Sequence, residues 1–432
     1  MFDLFLSGLG DIGDNSYQLL RSLGKKTKIV AEKLNMATIL ITGGSGYLGF
    51  HIALELFQKG FKVILFDLKK TVDVLRKSLI KKYSLDENSL KKNINFVQGN
   101  ICDFSSLRDV VISNDVEAII HCASFGMSGN DNLPANNDTI EKVNLGGTRN
   151  VLKAASKSKV KAIVYTSTVN VVFNGQVIIN GNEANTSYLG LTEHADHYSL
   201  TKQVAEELIL TASGKAQPNG VMRTCSLRLN GIYGAYEQQH LPRSIAIMRQ
   251  GLFKVGYCLD TKQDLVHIDN AVQGHVKAVM AMLDPKQAEK MDGEAYFITD
   301  GHPVNNLKFF GENLLPAILG QDAKMPEFEV PFLVVLGISW VFFFLSKALG
   351  KNFLLPVPAI TTAEVYKTGV THFFNVEKAN SHFGYKPEVK WDQKSWDEIL
   401  ESQKLARPIL KPIKCSRQTN PKTERFEPST SI

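Results

Sequence analysis

Tyr198 and Lys202 stand four residues apart, and this pair could carry acid–base chemistry. Positions i and i+4 of a helix share one face, so the phenol and the ammonium would lie side by side. A free tyrosine has a pKa of about 10 and is a poor base at neutral pH, whereas a nearby cation favours the phenolate and lowers that pKa. Hydroxyl groups at Thr166-Ser167-Thr168, the end of an apolar run, could hydrogen-bond the oxygen of a substrate. The pattern indicates proton transfer at an alcohol or ketone, although a Tyr four residues before a Lys is also common by chance.

A glycine-rich stretch, Thr42–Gly49, predicts where the phosphates of a cofactor would bind. It follows a short apolar run and leads into apolar residues with helical spacing, which predicts a strand, a tight turn and a helix N-terminus. Gly43 permits the turn, Gly46 lets the backbone approach a pyrophosphate, and Gly49 allows the helix to pack close to the strand. The free N–H groups of the first helical turn would hold the anion. A second apolar run ends on Asp67, about 20 residues past the glycines, where a carboxylate can accept hydrogen bonds from the adenosine ribose.

Apolar runs that alternate with helically spaced segments predict the elements that must position these residues. The predicted strands are 39–41, 63–66, 93–97, 118–123, 162–166, 225–229, 265–269 and 295–298. Helices are expected within 69–92 and across about 136–157. Strands that alternate with helices and are apolar on both faces indicate an α/β fold of the Rossmann type, with a doubly wound parallel sheet. The chain after Gly234 is expected to leave this sheet and to form a smaller mixed substrate lobe.

Composition restricts the class of protein. The 432 residues are 44% hydrophobic, which is enough for a sizeable core, and the net charge is +6. This charge is spread along the chain, and no basic run is interleaved with aromatic residues, so we expect no nucleic-acid partner. The five cysteines are scattered without metal-ligand spacing, and no metal site is expected.

The expected domain boundaries follow from these patterns. Residues 1–35 form an N-terminal extension, and residues 36–234 form the dinucleotide-binding Rossmann domain. Residues 235–406 form the substrate lobe, from which 264–300 return to the Rossmann domain. The segment 407–432 is polar, basic and Pro-containing, so we expect a disordered tail.

An apolar hairpin is expected at 330–363, within the substrate lobe. Its first arm, Val330–Leu345, has 16 residues and no charge. A spanning helix needs about 20 apolar residues, and Pro331 shortens this run further. A single crossing would also leave the chain after the hairpin on the wrong side of the membrane. We therefore expect the hairpin to dip into one leaflet, with a buried core helix as the alternative.

At this point the motifs resemble those of the extended short-chain dehydrogenases/reductases. The shared features are the Thr-Gly-x-x-Gly-x-x-Gly motif, the strand end Tyr165–Thr168 and the pair Tyr198 and Lys202. More closely, the chain is similar to the 3β-hydroxysteroid dehydrogenase/isomerase branch and, within it, to the group named short-chain dehydrogenase/reductase family 42E. The stretches that carry this closer resemblance are 124–129, 170–180, 194–198, 231–234, 240–243 and 364–372. The similarity covers about 36–390 and is specific.

The resemblance implies a role for each matching residue. Tyr198 is the acid/base, and Lys202 lowers its pKa and binds the nicotinamide ribose. Thr168 orients the substrate, with Ser167 as the near alternative. Asn144 belongs to a helix that supports the proton relay. The positions implied to bind the cofactor are Gly43, Gly46, Tyr47, Leu48, Gly49, Asp67, Asn100, Ile101, Ala123 and Lys202.

Two positions depart from the pattern of the family. Asn100 stands where the family usually has an Asp that reads the adenine amino group, and an amide oxygen can still accept that bond. Leu229 replaces a proline that usually follows the arginine. We expect both changes to be tolerated, since neither touches the chemistry.

The resemblance implies an oxidoreductase that uses NAD to oxidise a 3β-hydroxysteroid or related sterol to the ketone. Whether Δ5–Δ4 isomerisation follows is left open. Because Asp67 would repel the 2′-phosphate of NADP, NAD is the expected cofactor and NADP the less favoured one. A role in steroid biosynthesis is expected at the cytosolic face of the endoplasmic reticulum or another intracellular membrane, and homodimerisation stays open.

Two other functions remain in view. A nucleotide-sugar epimerase or dehydratase could use the same scaffold, but it would need basic residues for a diphosphate, whereas the aromatic-rich arm Val330–Leu345 favours an apolar ligand. A non-catalytic dinucleotide-binding sensor is the second alternative. Such proteins usually lose the Tyr, the Lys or the hydroxyl, and all three are present in this sequence.

Overall fold

The computed structural model describes residues 37–217, 220–251, 255–258, 260–319, 325–326, 328–353, 355, 360–388 and 393–405. The expected N-terminal extension (1–35), the expected tail (407–432) and part of the second apolar arm lie outside the described residues.

Fourteen strands are present in the described part of the chain. In chain order they are β1 (Thr38–Thr42), β2 (Lys62–Asp67), β3 (Ile94–Gln98), β4 (Ala118–His121), β5 (Ala162–Thr168), β6 (Ile178–Gly181), β7 (Lys215–Gln217), β8 (Gly220–Leu229), β9 (Gly231–Tyr233), β10 (Val255–Gly256), β11 (Leu265–His267), β12 (Glu294–Ile298), β13 (Phe328–Glu329) and β14 (His372–Phe374).

The main sheet has the strand order β12-β8-β5-β4-β1-β2-β3, and all of these seven strands are parallel. β7 adds to it as an antiparallel hairpin partner of β8. The predicted doubly wound parallel sheet is therefore confirmed. Chain order reverses between β1 and β4, and in open α/β sheets ligands bind at such a switch point, outside the carboxyl ends of the strands. The fold thus places a ligand site at the turns that follow Thr42 and His121.

Helices cover both faces of the sheet and build the substrate lobe. Those in the described residues are α1 (Tyr47–Gln58), α2 (Asp73–Lys82), α3 (Glu87–Asn93), α4 (Phe104–Ser113), α5 (Asn137–Glu141), α6 (Gly147–Ala155), α7 (His197–Thr211), α8 (His240–Arg249), α9 (Ile268–Leu283), α10 (Pro285–Ala288), α11 (Asn306–Leu319), α12 (Phe332–Leu349), α13 (Thr362–Gly369), α14 (Glu377–Phe383) and α15 (Gln393–Leu405). The central strands are buried on both faces because one apolar core lies on each side of the sheet.

Some elements differ from the sequence prediction. The helix expected at 136–157 is interrupted by one π-helical turn, Lys142–Gly146, between α5 and α6. The strand expected at 265–269 ends at His267, because His267 instead N-caps α9 by accepting from the amide of Asp269. That strand, β11, pairs with β9 outside the main sheet, whereas β12 joins the main sheet beside β8.

The first apolar arm is the helix α12, which is 18 residues long and has a mean hydropathy of 2.1. By length and composition alone it could cross a membrane, and most of its side chains are not buried. The residues that it does bury form one stripe, with Val335, Ser339 and Ser346 facing the substrate lobe. Within the described residues the second arm does not form a matching helix, so the expected apolar hairpin is seen as one apolar helix packed on the lobe.

Candidate active site

Tyr198 and Lys202 lie one turn apart at the start of α7. The helix begins there because Asp196 caps it, with its carboxylate accepting from the amide of Ser199 at 2.6 Å. Both side chains are buried, Tyr198 at 4% and Lys202 at 2% exposure. The fold therefore keeps a phenol and an ammonium away from bulk water at the carboxyl end of β5.

The ammonium of Lys202 is held by the end of β5. Its Nζ donates to the carbonyl oxygen of Thr166 at 2.5 Å and lies 4.1 Å from the centroid of the Tyr165 ring. Burial lowers the pKa of Lys202 to about 7, although the carboxylate of Glu206 acts in the opposite direction. A lysine in this state can exchange a proton near neutral pH.

The buried carboxylate of Glu206 has its own cation. Arg228 donates to Oε1 through Nε at 2.8 Å and through Nη2 at 2.6 Å. Tyr188 and Ser226 add one hydrogen bond each, both at 2.7 Å. Burial raises the pKa of Glu206, but Arg228 and the hydroxyls of Ser167 and Tyr188 outweigh it, and the net pKa is lowered. Glu206, one turn beyond Lys202 on α7, is therefore neutralised by Arg228 of β8.

Burial raises the pKa of the Tyr198 phenol, and the carboxylate of Asp196 raises it further. A hydrogen bond with the side chain of Ser124 acts in the opposite direction. The sequence interpretation expects Lys202 to lower this pKa, whereas burial dominates in the structure because the phenolate would lose its hydration. The lowering by Lys202 stays a prediction for the complex with the cofactor.

Asn144 lies in the π-helical turn and is 2% exposed. Its amide brackets the backbone of Phe125, accepting from the amide N at 2.8 Å and donating to the carbonyl O at 3.0 Å. It also donates to the hydroxyl of Thr201, on α7, at 3.1 Å. Single π-helical turns inside helices occur frequently at functional sites. Here the turn joins the segment after β4 to the helix of Tyr198.

Thr168 is the last residue of β5, and its side chain is half-buried. Its Oγ1 accepts from the amide of Asn170 at 3.3 Å. Successive strand residues point to opposite faces of a sheet. Ser167 accordingly faces α7, where its hydroxyl helps to lower the pKa of Glu206. Ser167 thus faces the buried pair of Glu206 and Arg228, whereas Thr168 faces the other side of the sheet.

The glycine-rich turn forms a backbone cradle that side chains would fill. Gly43 has φ +67°, and a Cβ built on it would lie 2.9 Å from the N and Cα of Ala123. A Cβ on Gly49 would lie 2.3 Å from the carbonyl oxygen of Gly43. α1 begins directly after Gly46, so its free N–H groups face the turn. This arrangement fits the pyrophosphate of a dinucleotide.

Asp67 lies beside this cradle at the end of β2. Its Oδ2 accepts from the amide of Ser45 at 3.0 Å, and its Oδ1 accepts from the amide of Leu68 at 2.7 Å. The carboxylate is thus held next to the glycine-rich turn by two main-chain donors. In this position it can accept hydrogen bonds from the hydroxyls of a ribose.

The other predicted cofactor positions contribute in different ways. The hydroxyl of Tyr47 donates to the carbonyl oxygen of Ala235 at 2.9 Å, so its side chain bonds to the segment after β9. The side chain of Leu48 packs against the apolar core. At the end of β3, the amide oxygen of Asn100 accepts from Cys102 N at 2.9 Å, and Ile101 is 7% exposed. We therefore expect Tyr47 and Leu48 to act through main-chain N–H groups.

A cleft of about 440 Å³, counting its open mouth, leads to the start of α7. One wall carries Asp196 and His197, which directly precede Tyr198. The facing wall carries Phe342 and Phe343 of α12. The apolar helix and the helix of Tyr198 therefore share one cleft.

Sequence reasoning missed several of these features. The cleft and the buried pair of Glu206 and Arg228 depend on contacts between distant segments. Ser124 was noted only as part of a resembling stretch. Glu206, however, follows Tyr198 and Lys202 at the same spacing of four, a signal that could have placed it on their helix face.

The fold and this site define a dinucleotide-binding oxidoreductase of the short-chain dehydrogenase type. The model of the 3-beta hydroxysteroid dehydrogenase/isomerase family matches residues 40–328. The chain belongs to this family, and it is an oxidoreductase that acts on CH–OH donors.

Similar proteins include the short-chain dehydrogenase/reductase family 42E member 1 of Macaca fascicularis, which is 41% identical over 81% of this chain and 84% of its own length. The decarboxylating sterol-4-alpha-carboxylate 3-dehydrogenase of Candida albicans is 31% identical over 82% of this chain and 94% of its own length.

Among solved structures, the epimerase Mth375 of Methanothermobacter thermautotrophicus has a TM-score of 0.62 at 17% identity, covering 88% of this chain and 97% of its own. The UDP-glucuronic acid 4-epimerase of Bacillus cereus, solved with UDP-glucuronic acid and NAD, has a TM-score of 0.59 at 18% identity, covering 85% and 99%. At these identities the two structures show the shared fold.

Proposed function

We propose that this protein is an NAD-dependent dehydrogenase that oxidises the 3β-hydroxyl of a sterol or related steroid to the ketone. The observation that carries the proposal is the cleft between the start of α7, the helix of Tyr198, and the aromatic side chains of α12. Its lining joins the aromatic rings of Phe342 and Phe343 to Asp196 and His197, the two residues that directly precede the buried phenol of Tyr198.

Each side chain has a part in the proposed reaction. Thr168 hydrogen-bonds the substrate hydroxyl and orients it. Tyr198, as the phenolate, accepts the hydroxyl proton, and Lys202 stabilises that phenolate and holds the nicotinamide ribose. Bound NAD⁺ supplies the acceptor for the hydride that leaves the carbinol carbon, so the alcohol becomes a ketone. Asn144 links the helix of Tyr198 to the segment after β4 and so supports the return of the proton to solvent.

The cofactor preference follows from Asp67. Its carboxylate is fixed beside the glycine-rich turn, where it can accept both ribose hydroxyls of NAD and would repel a 2′-phosphate. Lys69 and Lys70 lie next along the chain, and they are the groups that could favour NADP instead. We propose NAD as the cofactor, since Asp67 is held in place by two main-chain donors, whereas Lys70 lies over the ring of Phe96 at 5.7 Å.

The outward face of α12 supports contact with a membrane. The most buried side chains of α12 are Ser346, Ser339 and Val335, whereas its large apolar side chains point outward. The exposed ones are Leu333, Val334, Ile338, Trp340, Val341, Phe344, Leu345 and Leu349. A helix in water has the opposite arrangement, with polar residues outside. We propose that hydrocarbon covers this face.

The inner face of α12 makes a full crossing unfavourable. The hydroxyl of Ser339 lies 3.3 Å from that of Thr362 on α13, and Phe332 packs against Gly369 and Tyr366. A helix attached along one side to a polar lobe cannot be surrounded by lipid. We therefore propose a monotopic protein on the cytosolic face of the endoplasmic reticulum or another intracellular membrane, with a sterol entering the cleft from one leaflet.

An epimerase remains the alternative from the same fold, since the similar solved structures include epimerases. The aromatic wall of the cleft favours an apolar ligand over a sugar diphosphate. Purified protein incubated with NAD and a panel of 3β-hydroxysterols, in detergent or bilayers, should form 3-ketones detectable by mass spectrometry. The 3α-epimers and UDP-glucose serve as matched controls. Conversion of UDP-glucose to its epimer, with no ketosteroid formed, would favour the alternative.

A further inference from the structure

His121 is the last residue of β4, lies at 0% exposure and bonds through both ring nitrogens. Its Nδ1 is 2.6 Å from Thr42 Oγ1, and its Nε2 is 3.0 Å from Thr148 Oγ1. The Thr42 hydroxyl accepts from the amide of Ala123 at 3.3 Å. The Thr148 hydroxyl donates to the carbonyl oxygen of Asn144 at 2.6 Å. Five groups, from the ends of β1 and β4, the π-helical turn and α6, thus form one continuous chain of hydrogen bonds.

Only one tautomer satisfies this chain. The Thr148 hydroxyl donates its single proton to the carbonyl oxygen of Asn144. Toward His121 it can therefore only accept a hydrogen bond, so the imidazole must carry its proton on Nε2. Nδ1 then carries a lone pair and accepts the proton of Thr42. The opposite tautomer would leave the Thr42 hydroxyl proton without an acceptor among the described residues. It would also turn the Thr148 proton toward Nε2, so that no proton would lie between the Thr148 oxygen and the Asn144 carbonyl oxygen 2.6 Å away. Burial lowers the pKa of His121 to about 3, so the ring is neutral.

The two ends of the chain lie at different parts of the site. Ala123 abuts the backbone of Gly43, so one end lies at the cofactor cradle. The other end is Asn144, whose side chain holds Phe125 and Thr201. The ring of Tyr165, on which Lys202 rests, lies 5.4 Å from the imidazole. His121, at the end of β4, therefore links the end of β1 to the helix that carries the π turn.

We infer that His121 is a positioning residue, which as its Nε2–H tautomer keeps the Asn144 turn in register with the backbone that borders the cofactor. This inference rests on the proposed function, since it takes Asn144 and Tyr198 as parts of one proton path. His121 itself touches neither substrate nor cofactor. Its effect is on the distance between the cofactor cradle and the helix of Tyr198.

The first test needs no substrate. In protein labelled with ¹⁵N-histidine, the His121 signal, assigned by its loss in His121→Phe, should show a neutral ring with the proton on Nε2. A proton on Nδ1, or a cationic ring at pH 6, would overturn the inference whether or not any sterol is oxidised.

The second test separates positioning from stability by a matched pair of threonines. Thr148→Val and Thr224→Val each remove a hydroxyl at 0% exposure that donates at 2.6 Å to a helix carbonyl, Asn144 O or Ile209 O. Thr224 lies in the middle of β8, and its acceptor Ile209 lies near the carboxyl end of α7, far from Tyr198. We expect similar losses of Tm, but a fall in kcat of about 10- to 100-fold only in Thr148→Val, as for small misplacements of catalytic groups.

A kcat that is unchanged in both variants, or that falls equally in both, would show that the chain of hydrogen bonds stabilises the fold without positioning the site. Thr42→Val combined with Thr148→Val should be no worse in kcat than the more damaging single change, because either one breaks the same chain. If wild-type protein oxidises no 3β-hydroxysterol while the Nε2–H tautomer is seen, the proposed function fails and the hydrogen-bond chain stands.

Discussion

Lys202 donates a hydrogen bond from Nζ to the carbonyl oxygen of Thr166 across 2.5 Å. The contact ties α7 to the carboxyl end of β5, the strand whose last residue is Thr168. It also offsets part of the cost of burying the ammonium, because a main-chain carbonyl favours the charged form. The proposed acid/base, the cation and the substrate-orienting hydroxyl are thus held by one helix and one strand end.

Replacing Tyr198 by Phe should abolish turnover and leave NAD binding nearly intact. The variant loses one oxygen, and general acid–base groups contribute about 10²–10⁴-fold, so the loss of kcat should reach or exceed the upper end of that range. Lys202→Met should damage both NAD binding and the rate, because the lysine has both roles. Steady-state kinetics together with NADH fluorescence titration would measure the two effects. A Phe variant that keeps most of its activity toward any accepted substrate would show that another group is the base.

Replacing Asp67 by Ser should relax the discrimination between NAD and NADP. The change removes the carboxylate that repels a 2′-phosphate and keeps a small polar group beside Ser45. We expect the Kd for NADP to fall and the Kd for NAD to rise. Lys69→Ser is the matched control, since it removes a charge of the opposite sign two residues away. If wild-type protein binds NADP more tightly than NAD, the lysines rather than Asp67 determine the cofactor.

Asp264→Asn should stabilise the protein at neutral and alkaline pH. Burial raises the pKa of Asp264 to about 7, and the nearby carboxylate of Asp300 adds to this, although an amide hydrogen bond from Phe374 acts against it. Because the folded-state pKa lies above the unfolded value of about 3.9, folding is penalised increasingly as the pH rises from about 4 to about 7. Above that window the penalty is constant, at up to about 4 kcal/mol.

The measurement is the free energy of unfolding of Asp264→Asn relative to wild type between pH 4 and pH 8. The advantage of the variant should be near zero at pH 4 and grow to a plateau near pH 7. Asp109→Asn is the control, since it makes the same chemical change at an exposed position and removes no buried carboxylate. An advantage that is already full at pH 4 would mean that the gain comes from packing instead of titration.

The sequence predicts the main sheet and the positions at its edge because its signals there are local. Apolar runs mark the strands, and the glycines of the turn at Gly43 and the spacing of Tyr198 and Lys202 are visible in a few neighbouring residues. The pairing of Glu206 with Arg228 and the chain through His121 join segments that are far apart in sequence, so no local pattern reports them. The electrostatics of Tyr198 were also missed, since its burial depends on how segments distant in sequence pack around the helix.

The last prediction concerns the outward face of α12. The helix is about 27 Å long, close to the roughly 30 Å of a hydrocarbon layer, but its inner stripe is attached to the substrate lobe. The chain before and after it belongs to that lobe, so both flanks must lie on one side of a membrane. We expect the protein to pellet with membranes until detergent is added. Tags at Met1 and Ile432 should both be cleaved by protease outside intact microsomes.

A matched pair of triple variants tests which face makes the contact. Leu333, Val341 and Phe344 on α12 are 57–76% exposed, and Val177, Ile179 and Leu191 elsewhere are 58–68% exposed. Changing the first set to Ser should release the protein into solution, because each buried side chain contributes about 1.5–3 kcal/mol and the three together shift partitioning by about 10³-fold or more. Changing the second set should not. Protection of one tag would indicate a true span, and a wild-type protein that never pellets with membranes would mean that this face is covered by something other than lipid.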